Sequence, residues 1–186
     1  MSATVILLQE TSLHPNQQEP NKLFHLPNKE VHFNSIGKGK GIATYFPPNQ
    51  FSINGDATHE NYQITSIKTN NLTITNIYRS KTASTGFINA LTPFINNGSN
   101  HVIMGDWNFC QRDDITHPVR QFLQKHNFEP AITPAQPTHI KGRCLDQIYI
   151  RHASINTVSS CIKTCYYSDH EPISITLKFD HQLDKT

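Results

Sequence analysis

The sequence predicts a mixed α/β sandwich of the α+β class, and three observations lead there. Many short β-like runs are punctuated by Asn, Gly and Pro; helical spacing shows in two stretches only; and those stretches lie between strand candidates, as crossovers do. The 186 residues make one domain, 1–186, long enough to bury a core. No repeat, low-complexity tract or linker divides them.

Val5–Leu8 is wholly apolar, which suits a central strand covered on both faces. Ile42–Phe46 is the next strand, closed by Pro47 and Pro48. Tyr62–Lys68 and Leu72–Tyr78 flank Thr69-Asn70-Asn71 as a hairpin would. Phe87, Ile88, Leu91 and Ile95 recur at helical spacing, with Pro93 expected to bend or shorten the helix. Val102–Met104 is a short apolar strand. Pro118 fits a helix's first turn, Val119, Phe122 and Leu123 follow, and Asn127 is placed to stop it. Leu145–Ile150 and Ile173–Phe179 complete the strands. In the last, Ile173, Ile175, Leu177 and Phe179 alternate with Ser174, Thr176 and Lys178.

Composition narrows the function class only slightly. Hydrophobic content of 36% with 16% charged residues fits an ordinary globular domain. No stretch approaches the ~20 apolar residues of a membrane span, so no membrane partner is expected. Val5–Leu8 is too short for a signal-peptide core and lacks a basic flank, which implies an intracellular protein with idle sequons at Asn71 and Asn97. A net charge of +2 does not announce a nucleic-acid binder. Lys38 with Lys40, and Lys141 with Arg143, are small basic clusters that read as solvated loops. Cys110, Cys144, Cys161 and Cys165 lack paired CxxC spacing and read as reduced, partly buried thiols. Gly37-Lys38-Gly39-Lys40-Gly41 lacks the GxxxxGK[ST] order and precedes a strand, so it reads as a mobile loop rather than a phosphate cradle, with lysines that could touch a nucleic-acid backbone. Apart from His170, the histidines, from His14 to His181, show no ligand spacing and read as surface or structural residues.

Chemistry-bearing residues gather at strand ends. Glu10 follows the first strand. Asp106 and Asn108 follow Val102–Met104, with Gly105 allowing a tight exit. Asp146 lies near the start of Leu145–Ile150, and Asp169 and His170 immediately precede the last strand. Neighbouring strand ends converge in space, so these groups can share one rim. Phosphodiester hydrolysis needs such a set: hard oxygen ligands for Mg²⁺, a group to orient or deprotonate water, and a histidine beside a carboxylate. Singly, Glu10 reads as a surface carboxylate, Gly105–Asn108 as a turn, and Ser168-Asp169-His170 as a capped loop. Asp146 is harder to dismiss, because a carboxylate in an apolar strand needs a partner.

The order of the set carries more. Leu8-Gln9-Glu10-Thr11, Asn76-Ile77-Tyr78-Arg79, Gly105-Asp106-Trp107-Asn108, Leu145-Asp146 and Ser168-Asp169-His170 follow one another in sequence. From about Val5 to Phe179 this resembles the endonuclease/exonuclease/phosphatase superfamily, with the DNase I-like fold of abasic-site endonucleases. Ile77-Tyr78-Arg79-Ser80, Pro137-Thr138-His139 and Ser168-Asp169-His170-Glu171-Pro172-Ile173 are closest in wording to endonuclease domains of non-LTR retroelements and helicase-associated domains. The resemblance implies a four-layer α/β sandwich, two mixed sheets face to face with helices outside. It implies an Mg²⁺-dependent endonuclease, with Mn²⁺ as substitute and double-stranded DNA as partner, nuclear if retroelement-derived in a eukaryote and otherwise cytoplasmic.

The same resemblance assigns roles. Glu10 is the principal metal-ligating carboxylate, and Asp169 contributes directly or through water. Tyr78 contacts the scissile phosphate, assisted by Arg79. Asp106 positions or activates the water, and Asn108 orients phosphate and aspartate. His170 hydrogen-bonds the phosphate or transfers a proton, with Asp146 fixing its ring; either Asp106 or His170 is the base. Trp107 fills an aromatic slot and reads as packing. The family normally begins with a further strand, carrying an asparagine of the site, and a helix. Glu10 arrives here almost at once, so an unpaired sheet edge is expected. Two alternatives follow: an impaired homologue that binds nucleic acid or a protein partner, and the same chemistry on a lipid headgroup or nucleotide.

Overall fold

A computed structural model describes residues 4–12, 25–37, 40–95, 100–132, 135–152 and 155–179. Lys38 and Gly39, the sequon at Asn97, His14 and His181 lie outside the described residues.

Six strands form the central sheet. They are β4 (Ser52–His59), β5 (Tyr62–Lys68), β6 (Thr73–Arg79), β7 (His101–Asp106), β8 (Glu129–Pro130) and β9 (Asp146–Arg151), in the order β4-β5-β6-β7-β9-β8. The sheet is mixed: β6 and β7 run parallel, and the other pairs are antiparallel. Parallel neighbours need a crossover, and α1 (Gly86–Ile95) supplies it. The hairpin β5–β6 closes through Thr69, whose amide donates to the Leu72 carbonyl at 2.8 Å and whose hydroxyl accepts from Asn71 and Leu72. Pro93 sits inside α1, and the helix runs two residues beyond it to Ile95. In α2 (Pro118–Lys125), Pro118 holds the first turn and Asn127 adopts φ 61°, the left-handed stop.

Strand alternation sends the two faces of this sheet to different cores. Ile64, Ile77, Ile103 and Tyr149 meet Phe87, Leu91 and Ile95 of α1 and Val119 and Leu123 of α2. On the other face Val102, Ile148 and Ile150 meet Ile162, Ile173, Ile175 and Leu177. These last belong to β10 (Ile155–Ile162) and β11 (Ile173–Phe179), an antiparallel ribbon. Beside the ribbon lie β1 (Ile6–Gln9), β2 (Glu30–Asn34) and β3 (Ile42–Phe46), in the order β1-β3-β2. Asn76 of β6 bonds across to this layer, its amide donating to the Ala43 carbonyl and the Thr44 hydroxyl at 3.1 Å each. The fold is a DNase I-like sandwich of facing sheets.

One expectation is corrected. The apolar run near Val5–Leu8 is not a central strand: among the described residues β1 pairs with β3 alone, and Leu8 is 40% exposed. Its apolar character comes from lying against β6 and β7. Among the described residues the ribbon β10–β11 also pairs with no other strand, so the described second layer stands in two pieces. Strands β2, β4, β8 and β10 escape the sequence reading. β4 is an exposed, bulged edge without polar–apolar alternation, and β8 has two residues.

Candidate active site

Three polar side chains stand in one row across three adjacent strands. Tyr78 pairs with Asp106 across β6 and β7, and Asp106 pairs with Asp146 across β7 and β9. All three occupy the face turned toward the second layer, the face of Val102 and Ile148. Gly105 does not release the chain from the strand, as the sequence suggested; β7 continues through it to Asp106. Its absent side chain serves another purpose. A Cβ there would lie 1.9 Å from the Ile77 carbonyl oxygen, and φ is +149°. Gly105 is what lets β7 approach β6 beside the row.

Beyond β7 the chain folds back on Asp106. Asn108 takes φ 51°, its amide N–H donates to Asp106 Oδ1 at 2.9 Å, and its Nδ2 donates to Oδ2 at 2.8 Å. Both carboxylate oxygens are thereby aimed, and the side chain is 3% exposed. Burial first, and then the Asp146 charge, push the Asp106 carboxyl up to about 7 against the pull of Asn108 and His170. Trp107 is fully buried among Phe87, Phe109 and Tyr149, and its indole donates to the Gln147 carbonyl.

Asp146 Oδ2 lies 2.8 Å from His170 Nδ1. That hydrogen bond, with the charges of Asp146, Asp106 and Asp169 behind it and burial opposing, raises the imidazole to about 9. His170 is therefore a cation at neutral pH, with Nδ1 as donor to Asp146. The pair is held from both sides. The Thr138 hydroxyl accepts the amides of Leu145 and Asp146 at 3.0 and 2.9 Å. Segment 138–140 then pairs with the His170 loop, Ile140 donating to the Asp169 carbonyl and Glu171 to the Thr138 carbonyl. Ser168 Oγ accepts from the His170 amide at 3.0 Å. Thr138, His139 and Ser168 received no catalytic role from sequence; their signals were the Pro137-Thr138-His139 wording and the capped-loop reading of Ser168-Asp169-His170.

Glu10 follows β1 with φ 52°, and the chain beyond it is fastened by amides of Thr11 and Ser12 to the carbonyls of Gly41 and Lys40. Tyr78 donates its hydroxyl to Glu10. Burial first, then Glu10, then Asp106 hold the phenol protonated far above its ordinary range. Arg79 lies elsewhere: its side chain points to the helix face, 6% exposed, with its terminal nitrogens donating at 3.1 Å to the carbonyls of Trp107 and Ala83. The structure thus brings Glu10, Tyr78, Asp106, Asn108, Asp146 and His170 to one rim and sets Arg79 beneath it.

Two donor sets are candidates for a divalent cation. Among the described residues His139, Asp169 and His170 have ligand atoms within 4.8 Å of one another. The tautomer argues against a cation there: His139 Nδ1 accepts the Lys141 amide at 3.0 Å, so its proton sits on Nε2, 3.5 Å from Asp169. Two donor imidazoles suit a carboxylate, not a metal. Carboxylates are a better match for a hard cation. Glu10 and Asp146 both raise Asp106 by their charge, a crowding of oxygen anions that a cation relieves. Glu10 and Asp169 bring such donors to either side of the row.

The model of the Endonuclease/Exonuclease/phosphatase family matches residues 2–170. No curated protein sequence matches. Among solved structures, an AP endonuclease from Archaeoglobus fulgidus superposes with TM-score 0.70 at 15% identity, over 95% of this chain and 88% of that one. The 3'-5' exonuclease NExo from Neisseria meningitidis gives 0.68 at 16%, over 95% and 89%. The endonuclease domain of TRAS1, a telomere-specific non-LTR retrotransposon, gives 0.62 at 13%, over 80% and 77%. At these identities the likeness establishes the fold.

Proposed function

The chain belongs to the endonuclease/exonuclease/phosphatase family, and from that premise we propose that it hydrolyses the nucleic-acid backbone as an Mg²⁺-dependent endonuclease, with Mn²⁺ as substitute and double-stranded DNA as substrate. The observation that carries this is the geometry about Asp146. Its Oδ2 lies 2.8 Å from His170 Nδ1, while Asp106, opposite it across the strands, has both oxygens held by Asn108. Burial thereby pushes the Asp106 carboxyl up, and Asp146 holds the His170 proton. One group accepts a proton at neutral pH while its neighbour keeps one. Asp106, aimed by Asn108, takes the proton of the attacking water. His170, oriented by Asp146, donates to a non-bridging phosphate oxygen, where negative charge grows. Tyr78, a neutral donor, contacts the phosphate by turning its one O–H from Glu10, and Asn108 steadies the phosphate. Glu10, with Asp169 contributing through water, would hold a divalent cation, whose chemistry there would be charge neutralisation on the phosphate and the departing oxygen.

Supercoiled plasmid incubated with Mg²⁺ is expected to be nicked by the native chain. Nicking should stop in EDTA and fall at least about 100-fold in His170→Ala, the usual scale of a lost proton-transfer or charge-donating group. A second reading, an impaired homologue that binds without cutting, has one observation in its favour. Glu10 follows an edge strand of a divided layer. Retention of plasmid with no nicking in either Mg²⁺ or Mn²⁺ would select it.

A further inference from the structure

Tyr166 and Tyr167 are 87% and 99% exposed on the loop that joins β10 to β11. Large side chains so fully solvated contribute almost nothing to folding, so two in succession call for another use. The loop is closed at its base. Lys163 donates its amide to the Pro172 carbonyl at 2.8 Å, and the Cys165 amide donates to the Glu171 carboxylate at 2.5 Å. Chain geometry alone keeps the Tyr167 Cα within roughly 11 Å of that of His170. On the same flank Ile140 is 72% exposed and tied through its amide to the Asp169 carbonyl. Lys141 and Lys163, both exposed, supply positive charge to it.

This inference rests on reading the rim as a nucleic-acid hydrolase. We propose that Tyr166 and Tyr167 form a stacking platform for unpaired bases of the substrate strand next to the scissile phosphate. The preferred substrate is then DNA with an overhang, gap or single-stranded stretch at the cut, rather than continuous duplex. Bases inside a duplex have their π-faces covered by one another and present only edges and backbone. Along the duplex a tyrosine ring finds an open π-face on a base that has left the helix, whereas a blunt duplex offers one at its terminal pair alone. The two lysines suit the backbone of such a strand, which carries its phosphates past the rings.

Binding measured in EDTA isolates this from cleavage. Fluorescence anisotropy compares a labelled DNA hairpin bearing a single-stranded overhang with its blunt counterpart, on the native chain and on Y166A/Y167A. Overhang affinity is expected to drop on the order of 10-fold more than blunt affinity, to return in Y166W/Y167W, and to keep its salt slope, because no phosphate contact is lost. Equal loss on both hairpins, or no loss, overturns the platform. So does native binding to phosphatidylserine vesicles that the double substitution removes while DNA affinity stays. An active nuclease whose overhang preference survives Y166A/Y167A refutes the platform and leaves the hydrolase standing. Tyrosine-dependent overhang binding without metal-dependent cutting supports the platform and refutes the hydrolase.

Discussion

Asp106 and Asp146 face each other directly across the antiparallel strands β7 and β9, with 3% and 9% of their surface exposed. Two like charges in that relation destabilise a sheet. His170 offsets the charge of Asp146 at 2.8 Å, whereas Asp106 is left to rise to about 7. Its folded pKa exceeds the ordinary carboxylate value, so folding favours the protonated form. The stability it contributes is present in full below about pH 4 and is lost as pH rises through 7. Asp106→Asn should therefore raise Tm in EDTA near pH 8, by about 2–4 °C for each kcal/mol recovered in a domain of this size, and the gap should shrink toward pH 5. Nicking should fall at least about 100-fold. A variant no more stable than the native chain near pH 8 would refute this account of Asp106.

The His170 proton depends on Asp146. Their hydrogen bond is the first cause of the rise to about 9. Asp146→Asn keeps the shape and removes the charge, so the imidazole should fall toward its ordinary value near 6.5. Nitrogen-15 NMR of the metal-free chain follows the titration directly. Activity of Asp146→Asn should accordingly fade as pH rises through 7, where the native chain still holds a cation. A His170 titration unmoved by the substitution would assign the rise to the charges of Asp106 and Asp169 instead.

How much of this was legible in sequence depended on the reach of the interaction. Ile42–Phe46, Tyr62–Lys68 and Ile173–Phe179 were readable to the residue, because apolar residues and nearby turns specify strands locally. Glu10, Asp106, Asn108, Asp146 and His170 were legible as an ordered set. The row of Tyr78, Asp106 and Asp146 was not, because it follows from the register of β6, β7 and β9, which no local pattern encodes. The exposure of β1 was hidden for the same reason: an apolar run reports an apolar face beneath it, not a strand beside it. Thr138 was missed because its task is to receive two amides of a segment seven and eight residues away.

Gly105 and Gly142 both have positive φ, +149° and +73°, yet their replacements should differ sharply. A Cβ on Gly142 meets nothing within 4 Å, so Gly142→Ala carries only the left-handed backbone cost of about 1–2 kcal/mol. At Gly105 the same atom meets the rigid Ile77 carbonyl at 1.9 Å, which forces β7 away from β6. Gly105→Ala should cost about 4 kcal/mol or more, at the far end of single substitutions. Urea midpoints of the two variants check the contrast, and comparable losses would argue that β6 and β7 can separate freely.

Arg79 offers the sharpest separation of a support from a substrate contact. Its terminal nitrogens donate to the Trp107 and Ala83 carbonyls, and the guanidinium lies 5.9 Å from the centre of the Phe87 ring. Lysine keeps the charge but cannot fork between two carbonyls. If Arg79 holds the Trp107 turn, and through it the aim of Asp106 and Asn108, then Arg79→Lys should lower Tm by several degrees, roughly 2–4 °C per kcal/mol lost. It should also lower kcat, because the misplaced base slows the chemical step, while the salt dependence of DNA binding keeps its slope. A phosphate contact behaves otherwise: the slope becomes shallower and KM rises at unchanged Tm. The buried guanidinium, turned to the helix face and away from the row, places the expected outcome with the first pattern.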